Sequence, residues 1–458
     1  MQTSNKKFSY FIKVCILFTL SLQLLSCKKF LDEKSDKSLI TPNTLADLQA
    51  LLDNNYIMNV NTSGFGETCA DDYFVLPDDY NTLDANSQKA YTWNLKKYNN
   101  GGDWASGYDV IFNANYCLDE LKQIEKTQAN IYEWNEIKGS ALFYRSYYFL
   151  NLIWDYGKAY DQDSSKKDLG IVLRLSSDNT IPSVRATVAD CYDQVIKDLN
   201  EAAGLLPDKP VHPMRPSKAA TYGALARTYL SMRMYDSAYK YADETLKIQS
   251  DLLDFNGSDV DPTSYVPFQP FNKEVIFYST QSGNFDSKTF LVASIDTNLV
   301  ASYDSNDLRL SVYFFPYISS YYSFKGNYSA ALFPNYSGIS TDEMILIRAE
   351  CEARKDDVSD AMNDLNSLLV KRYRTGTFVP LAINDSKNAL KRILLERRKE
   401  LVMRGLRWID IKRLNKEDHP LTLVRKIEDQ TYTLLPNSDY YALPLPDDII
   451  RLTGMKQN

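Results

Sequence analysis

The chain has 458 residues, ample for a large core, and sets 59 Asp and Glu against 52 Lys and Arg for a net charge of −7. No long basic stripe offsets that balance, which excludes nucleic acid as a partner, because phosphate binding needs clustered Lys and Arg. Aromatics are abundant (33 Tyr, 20 Phe, 5 Trp) whereas only 2 His are present, which narrows the acid–base chemistry open to the chain.

At the N-terminus, Lys6 and Lys7 precede a stretch from Phe8 to Leu25 that is apolar apart from Lys13 and a few small polar residues, the layout of a secretory signal peptide. Its uncharged run, Val14 to Cys27, is too short to span a bilayer core of about 30 Å as a helix, which takes roughly 20 residues. The order Leu24-Leu25-Ser26-Cys27 resembles the bacterial lipobox, in which the cysteine is lipidated and begins the mature chain. Residues 1–26 are therefore expected to be a lipoprotein signal peptide, and Cys27 the lipidated start of a tethered body, 27–458. Each buried CH₂ of an acyl chain adds about 0.8 kcal/mol of membrane affinity, so two or three chains anchor durably. In the body, Cys69, Cys117, Cys191 and Cys351 are widely scattered with no Cys-x-x-Cys pair. Buried free thiols are the plainer reading, with disulfides the other.

Residues 28–100 read as an N-terminal segment with loops, including the irregular stretch 61–88. There Asp71, Asp72, Asp78 and Asp79 offer hard oxygen ligands for a structural calcium, but EF-hand spacing is missing and a solvated acidic loop is the plainer reading. No other cofactor is expected. Helical periodicity governs 101–250: Ile137, Ala141, Tyr148 and Leu152 share a face, and Tyr147, Tyr148 and Trp154 are read as core. Pro216-Ser217 is a helix-entry signal. Beyond it, Ala226 and Ala238 stand twelve positions apart with Tyr222, Leu225 and Tyr229 beside them, and the same interval recurs at Ala349 and Ala361. These helix pairs resemble tetratricopeptide repeats, with "SALFYRSYYF" and "TVADCYDQVIKDLNEAAGLLP" as a third, degenerate pair. The fold class expected is mostly α, a tetratricopeptide-like scaffold over about 101–250 and 341–415.

Between about 251 and 340 the helical period gives way to Pro, Gly, Ser and aromatics, with "EVIFYST" as a short strand. Long irregular insertions on a helical frame usually carry function, so this insert is expected to form a loop-rich, minor-β ligand face. Sugars stack their apolar C–H faces on aromatic rings while hydroxyls take hydrogen bonds. The candidate ligand-binding rings in or near the irregular regions are Tyr73, Trp93, Tyr265, Phe268, Tyr313, Tyr317, Tyr321 and Tyr322. Alternation in "YFFPYISSYYSF" would also suit a strand whose rings pack half inward. No catalytic constellation emerges: His212 and His419 both precede proline, and no Gly-x-Ser-x-Gly elbow or metal-binding histidine pair is present. The segment 394–415, "LLERRKELVMRGLRWIDIKRLN", combines Leu394, Leu401, Trp408 and Ile411 with alternating charge, and is read as a helical, partly buried ion network; 416–458 closes the chain.

Glu396 to Leu401 and Gly405 to Arg413 look like the C-terminal signature of the SusD/RagB family, surface lipoproteins of Bacteroidota. The stretches 104–121, 137–157, 216–232 and "YALPLPDDII" are similar to that family in the expected order. The resemblance implies a helical fold of four tetratricopeptide-like pairs and a lipid-anchored, exterior-facing outer-membrane protein. It also implies capture of an oligosaccharide and delivery to a SusC-like TonB-dependent transporter, with the tether Lys28 to Leu39 acting as a hinge. It transfers no ligand residue. Oligopeptide capture is the alternative, a surface glycosidase a further one, and a scaffold without its own ligand the last.

Overall fold

The computed structural model describes residues 42–99, 101–283, 291–317, 320–418 and 420–458, so Cys27, the segment Lys28 to Leu39 and His419 lie outside the described residues. The folded body runs from Leu45 to Asn458. Its frame consists of α1 (Gly102–Glu120), α2 (Ile131–Tyr156), α3 (Val188–Leu205), α4 (Lys218–Ser231), α5 (Tyr235–Ile248), α6 (Thr341–Arg354), α7 (Val358–Leu369), α8 (Ser386–Glu400) and α9 (Arg407–Leu414). Each helix from α1 to α7 packs on the next, and α2, α4, α6 and α8 also pack in succession, first helix on first helix. That double neighbour relation is the stacking of a tetratricopeptide-like repeat.

The sequence spacing explains the close approaches. Ala226, Ala238, Ala349 and Ala361 are all fully buried, where larger side chains would push the paired helices apart. The repeats even turn alike. Arg233 between α4 and α5 has φ 61° and Asp356 between α6 and α7 has φ 64°, each standing seven positions after its small residue. The Ser217 hydroxyl caps α4 by accepting from the Ala220 N–H at 3.1 Å, and Thr187 with Asp190 forms a capping box on α3. Helix α2 is apolar nearly all round because neighbours cover most of its faces: Ile137, Ala141, Tyr147, Tyr148, Leu152 and Trp154 are all buried. Each large side chain buried this way contributes about 1.5–3 kcal/mol.

The strands are short and paired two by two, all antiparallel. β1 (Tyr73–Val75) pairs with β5 (Ala293–Ile295), and β2 (Leu169–Val172) with β3 (Arg185–Thr187). β4 (Val275–Phe277) pairs with β8 (Ile339–Ser340), β6 (Phe314–Pro316) with β7 (Tyr322–Phe324), and β9 (Leu423–Ile427) with β10 (Gln430–Leu434). The expected strand in "EVIFYST" is β4. It lies against the scaffold because Gly223 of α4 leaves room for β8, where an added Cβ would come within 2.6 Å of Ile339. The Ser323 hydroxyl donates to the Ala293 carbonyl at 3.1 Å, so β7 lies beside β5 and β6 is left at the outside. A second core, including Val75, Phe255, Phe314, Tyr328 and Tyr336, fills the space beneath these strands.

Cys69, Cys117, Cys191 and Cys351 are all buried, and no disulfide links any two of them. Burial pushes the Cys117 and Cys191 thiols up to about 12, which suppresses the reactive thiolate. A disulfide-exchange reagent at pH 8 is therefore expected to modify none of the four in the native body within minutes and all four after denaturation.

Candidate functional site

The candidate site rests on buried charge. The run expected over 394–415 is broken in two: α8 ends at Glu400 and α9 starts at Arg407. Between them Met403 (φ 62°) and Gly405 (φ 75°) reverse the chain, and the Gly405 N–H reaches the Glu67 carboxylate at 2.6 Å. On α8 the buried face is the charged one: Glu396, Arg397, Lys399 and Glu400 are at most 3% exposed, whereas Leu395 is 37% exposed. The reason is partners brought from elsewhere. Arg309 meets Asp307 at 2.7 Å, Glu396 at 2.6 Å and Glu400 at 2.9 Å. Arg372, three residues beyond α7, meets Glu274 at 2.8 Å and Glu400 at 2.7 Å, and Lys399 lies 3.1 Å from both Asp307 and Glu396. Unpaired, each of these ions would cost several kcal/mol to bury; paired, they lock the insert to the scaffold.

A second set ties α9 to the frame. Asp410 receives Arg397 and Arg413 at 2.8 Å each, and Arg413 also holds Glu350 of α6 at 2.6 Å. Burial alone would raise the Asp410 carboxyl, but the two guanidiniums outweigh it and hold it at about 2. Its folded value lies below the unfolded one of about 3.9, so its contribution is present above that pH and is lost as pH falls through about 2. From this group alone, unfolding measured by circular dichroism should show stability dropping by about 2 kcal/mol between pH 4 and pH 2.

Above the network lies a groove of about 490 Å³ beside β6. Tyr265, Leu308, Leu310, Phe315 and Tyr322 supply its apolar surface, and Thr263, Ser305, Ser311, Lys325 and Arg374 its polar groups. Tyr265 is 61% exposed and meets Phe315 edge-to-face, the ring centroids 5.2 Å apart. The loop carrying Tyr265 is fixed from below, since the Lys325 ammonium donates to the Pro262 carbonyl at 2.6 Å and the Ser264 carbonyl at 3.0 Å. Along β6 the alternation sends Phe314 into the core and turns Phe315 outward.

Of the eight expected rings, the structure gathers two, Tyr265 and Tyr322, in this groove. Phe268 and Tyr313 belong to the core: Phe268 packs edge-to-face on Tyr328 at 4.6 Å, and the Tyr313 hydroxyl donates to Glu400 at 3.2 Å. Tyr73 and Trp93 are buried too, in a place the sequence does not reveal. The Arg425 guanidinium sits 5.5 Å from the Tyr73 ring, 4.7 Å from Trp93 and 3.7 Å from Tyr91, so the π-faces expected to meet a ligand already hold a cation of the protein. Those two rings border a separate depression of about 320 Å³ with Phe74 and Lys426. Tyr321 turns toward Phe74, ring centroids 5.1 Å apart, and Tyr317 donates its hydroxyl to the Leu291 carbonyl at 2.6 Å. Phe315, Lys325 and Arg374 were missed. The alternation in "YFFPYISSYYSF" was the available signal for Phe315; nothing local marks the two cations.

The acidic loop does not stay together. Asp71 pairs with Arg407 at 2.6 Å and Asp72 with Arg398 at 3.1 Å, whereas Asp78 and Asp79 open the helix Pro77–Thr82. Burial pushes the Asp71 carboxyl up, but Arg407 and Arg398 overcome it and leave it well below the usual carboxylate range. Among the described residues no group of three or more His, Cys, Asp or Glu is placed to hold a metal ion.

A tetratricopeptide-like frame bearing an aromatic groove on an inserted β-containing face defines a binding protein of repeat architecture. Residues 29–230 match a family model described as starch-binding associating with outer membrane, and residues 341–458 match the SusD family model. The chain belongs to the SusD/RagB family. It is 23% identical to SusD-like protein P2 of Formosa agariphila over 514 residues, 96% of this chain and 97% of that protein. Among solved structures it resembles a SusD superfamily protein from Bacteroides thetaiotaomicron (TM-score 0.71, 24% identity, covering 91% of this chain and 99% of that one). It also resembles a SusD-like carbohydrate binding protein from Bacteroides vulgatus (TM-score 0.67, 22% identity, 90% and 97%). A third is surface glycan-binding protein A from Bacteroides fluxus (TM-score 0.68, 17% identity, 91% and 99%).

Proposed function

We propose that this protein captures glycans in the groove beside β6 and passes them to a SusC-like TonB-dependent transporter of the outer membrane. The observation that carries the reading is the Tyr265 ring, 61% exposed yet braced edge-on by Phe315, in a groove whose polar lining combines hydroxyls and two cations with one internally paired carboxylate, Asp307. A braced ring loses little entropy on stacking, so the face it offers a sugar is pre-organised. Hydrolysis is not part of the proposal. The only carboxylate among the described lining residues is Asp307, which is held by Arg309 at 2.7 Å and Lys399 at 3.1 Å, whereas glycosidases use a pair of carboxylates.

In this reading, lipidated Cys27 anchors the body at the outer face of the outer membrane. The segment Lys28 to Leu39 serves as the hinge on which the protein opens to admit ligand and closes over the transporter. Binding of the body, residues 28–458, to an array of polysaccharides and oligopeptides tests the capture step. Uncleaved retention of a glycan class supports the proposal; a peptide signal with silence toward every glycan replaces it with peptide capture. Co-purification of the full-length lipoprotein with a β-barrel partner in mild detergent tests the delivery step, which is wrong if no barrel accompanies it.

A further inference from the structure

The charged groups of the groove point to the class of glycan. We infer that the groove beside β6 selects acidic glycans, carrying uronate or sulfate groups, over neutral ones; this rests on the glycan-capture reading above. Among the described lining residues three are charged: Asp307, Lys325 and Arg374. Asp307 is 2% exposed and its charge is consumed inside the protein, one oxygen accepting from the Arg309 Nε at 2.9 Å and the other from Arg309 Nη2 at 2.7 Å with Lys399 at 3.1 Å. It presents no net negative charge to a ligand.

The two cations are in the opposite condition. Lys325 is 7% exposed, and among the described residues its ammonium is met only by the carbonyls of Pro262 and Ser264, with no carboxylate within 4.0 Å. The acidic group that acts on it from farther away is Asp261, which faces solvent and accepts from the Thr263 N–H and hydroxyl at 2.9 and 2.6 Å. Most buried cations of this chain have a carboxylate of their own, as Arg145 has Asp198, Arg227 has Glu343 and Arg404 has Asp342. Among those that lack one, Lys325 alone lines this groove. Arg374 is anchored through its backbone, its N–H donating to the Asn306 carbonyl at 2.9 Å, while its exposed guanidinium makes no hydrogen bond or ion pair among the described residues.

A buried ammonium without a counter-ion is unfavourable, and an anionic ligand group supplies what the protein withholds. Arg374 offers the planar fork that recognises carboxylate or sulfate through two parallel hydrogen bonds. Set in a chain of net charge −7, this local cationic pair beside stacking rings favours ligands that carry both an apolar sugar face and a negative group.

The test is titration calorimetry of the body, residues 28–458, with hexasaccharides of matched length: maltohexaose and cellohexaose as neutral probes, hexagalacturonate and a sulfated hexasaccharide as anionic ones. The anionic probes are expected to bind at least about tenfold tighter, with an affinity that weakens as NaCl rises from low to physiological concentration. Arg374→Gln, at an exposed position, should cost about tenfold with the anionic probes and several-fold less with a neutral one. Lys325→Met should act in the same direction, with its melting temperature measured alongside. Equal or tighter binding of neutral probes, or anionic binding insensitive to both salt and Arg374→Gln, overturns the inference while leaving glycan capture standing. Binding of neither kind of hexasaccharide would instead count against glycan capture itself.

Discussion

Glu400→Ala is expected to destabilise the protein by about 3–5 kcal/mol, the loss that follows when one partner of a buried ion pair is removed. Glu400 accepts from Arg309 at 2.9 Å, Arg372 at 2.7 Å and the Tyr313 hydroxyl at 3.2 Å. Its removal takes one carboxylate from each of two guanidiniums that do not reach water, leaving Arg309 with Asp307 and Glu396 and Arg372 with Glu274 alone. Urea unfolding followed by far-ultraviolet circular dichroism measures the change as a shift in midpoint at constant slope. Leu395→Ala on the same helix, at a side chain 37% exposed, provides the contrast and should cost well under about 1.5 kcal/mol. A Glu400→Ala protein within about 1 kcal/mol of the parent would mean that the network does not hold the insert to the scaffold.

The second large effect concerns affinity. Replacing both Tyr265 and Phe315 by Ala should weaken binding of the captured glycan by about 30-fold or more, near 2 kcal/mol, the scale of aromatic residues at the centre of an interface. Stability should change little, since Tyr265 is mostly exposed and Phe315 half-buried. Phe268→Ala makes the opposite prediction. That ring is 1% exposed among Phe255, Tyr313 and Tyr328, so its loss should cost about 3–5 kcal/mol of stability without removing a ligand contact. Calorimetric affinity and thermal unfolding on the same three proteins separate the two kinds of aromatic.

The scaffold was legible in the sequence because its determinants are local. Ala226 with Ala238 and Ala349 with Ala361 carry the repeat in their spacing, and Ser217 declares a helix start by its own hydrogen bond. The site was less legible because its determinants are distant. Tyr265, Lys325 and Arg374 are separated by dozens of residues and meet only once α7, α8 and the insert are joined by buried charge. Tyr73 and Trp93 illustrate the same limit. Composition marks a loop aromatic as a ligand platform, but whether its face is open depends on Arg425, more than three hundred residues later. The charge block of α8 was legible as a buried ion network but its partners were not: Leu395 is exposed and Glu400 buried because guanidiniums from the insert and from just beyond α7 make burial of the carboxylates favourable.

The central claim is that the groove beside β6 takes the glycan. The most direct measurement is hydroxyl-radical footprinting of the body with and without the oligosaccharide it retains, read ring by ring by mass spectrometry. Protection of Tyr265, Phe315 and Tyr322, with Phe74 of the separate depression and the Tyr321 ring packed edge-to-face on it unchanged, is the result expected. Protection centred on Phe74 and Tyr321 with Tyr265 still fully reactive would contradict it.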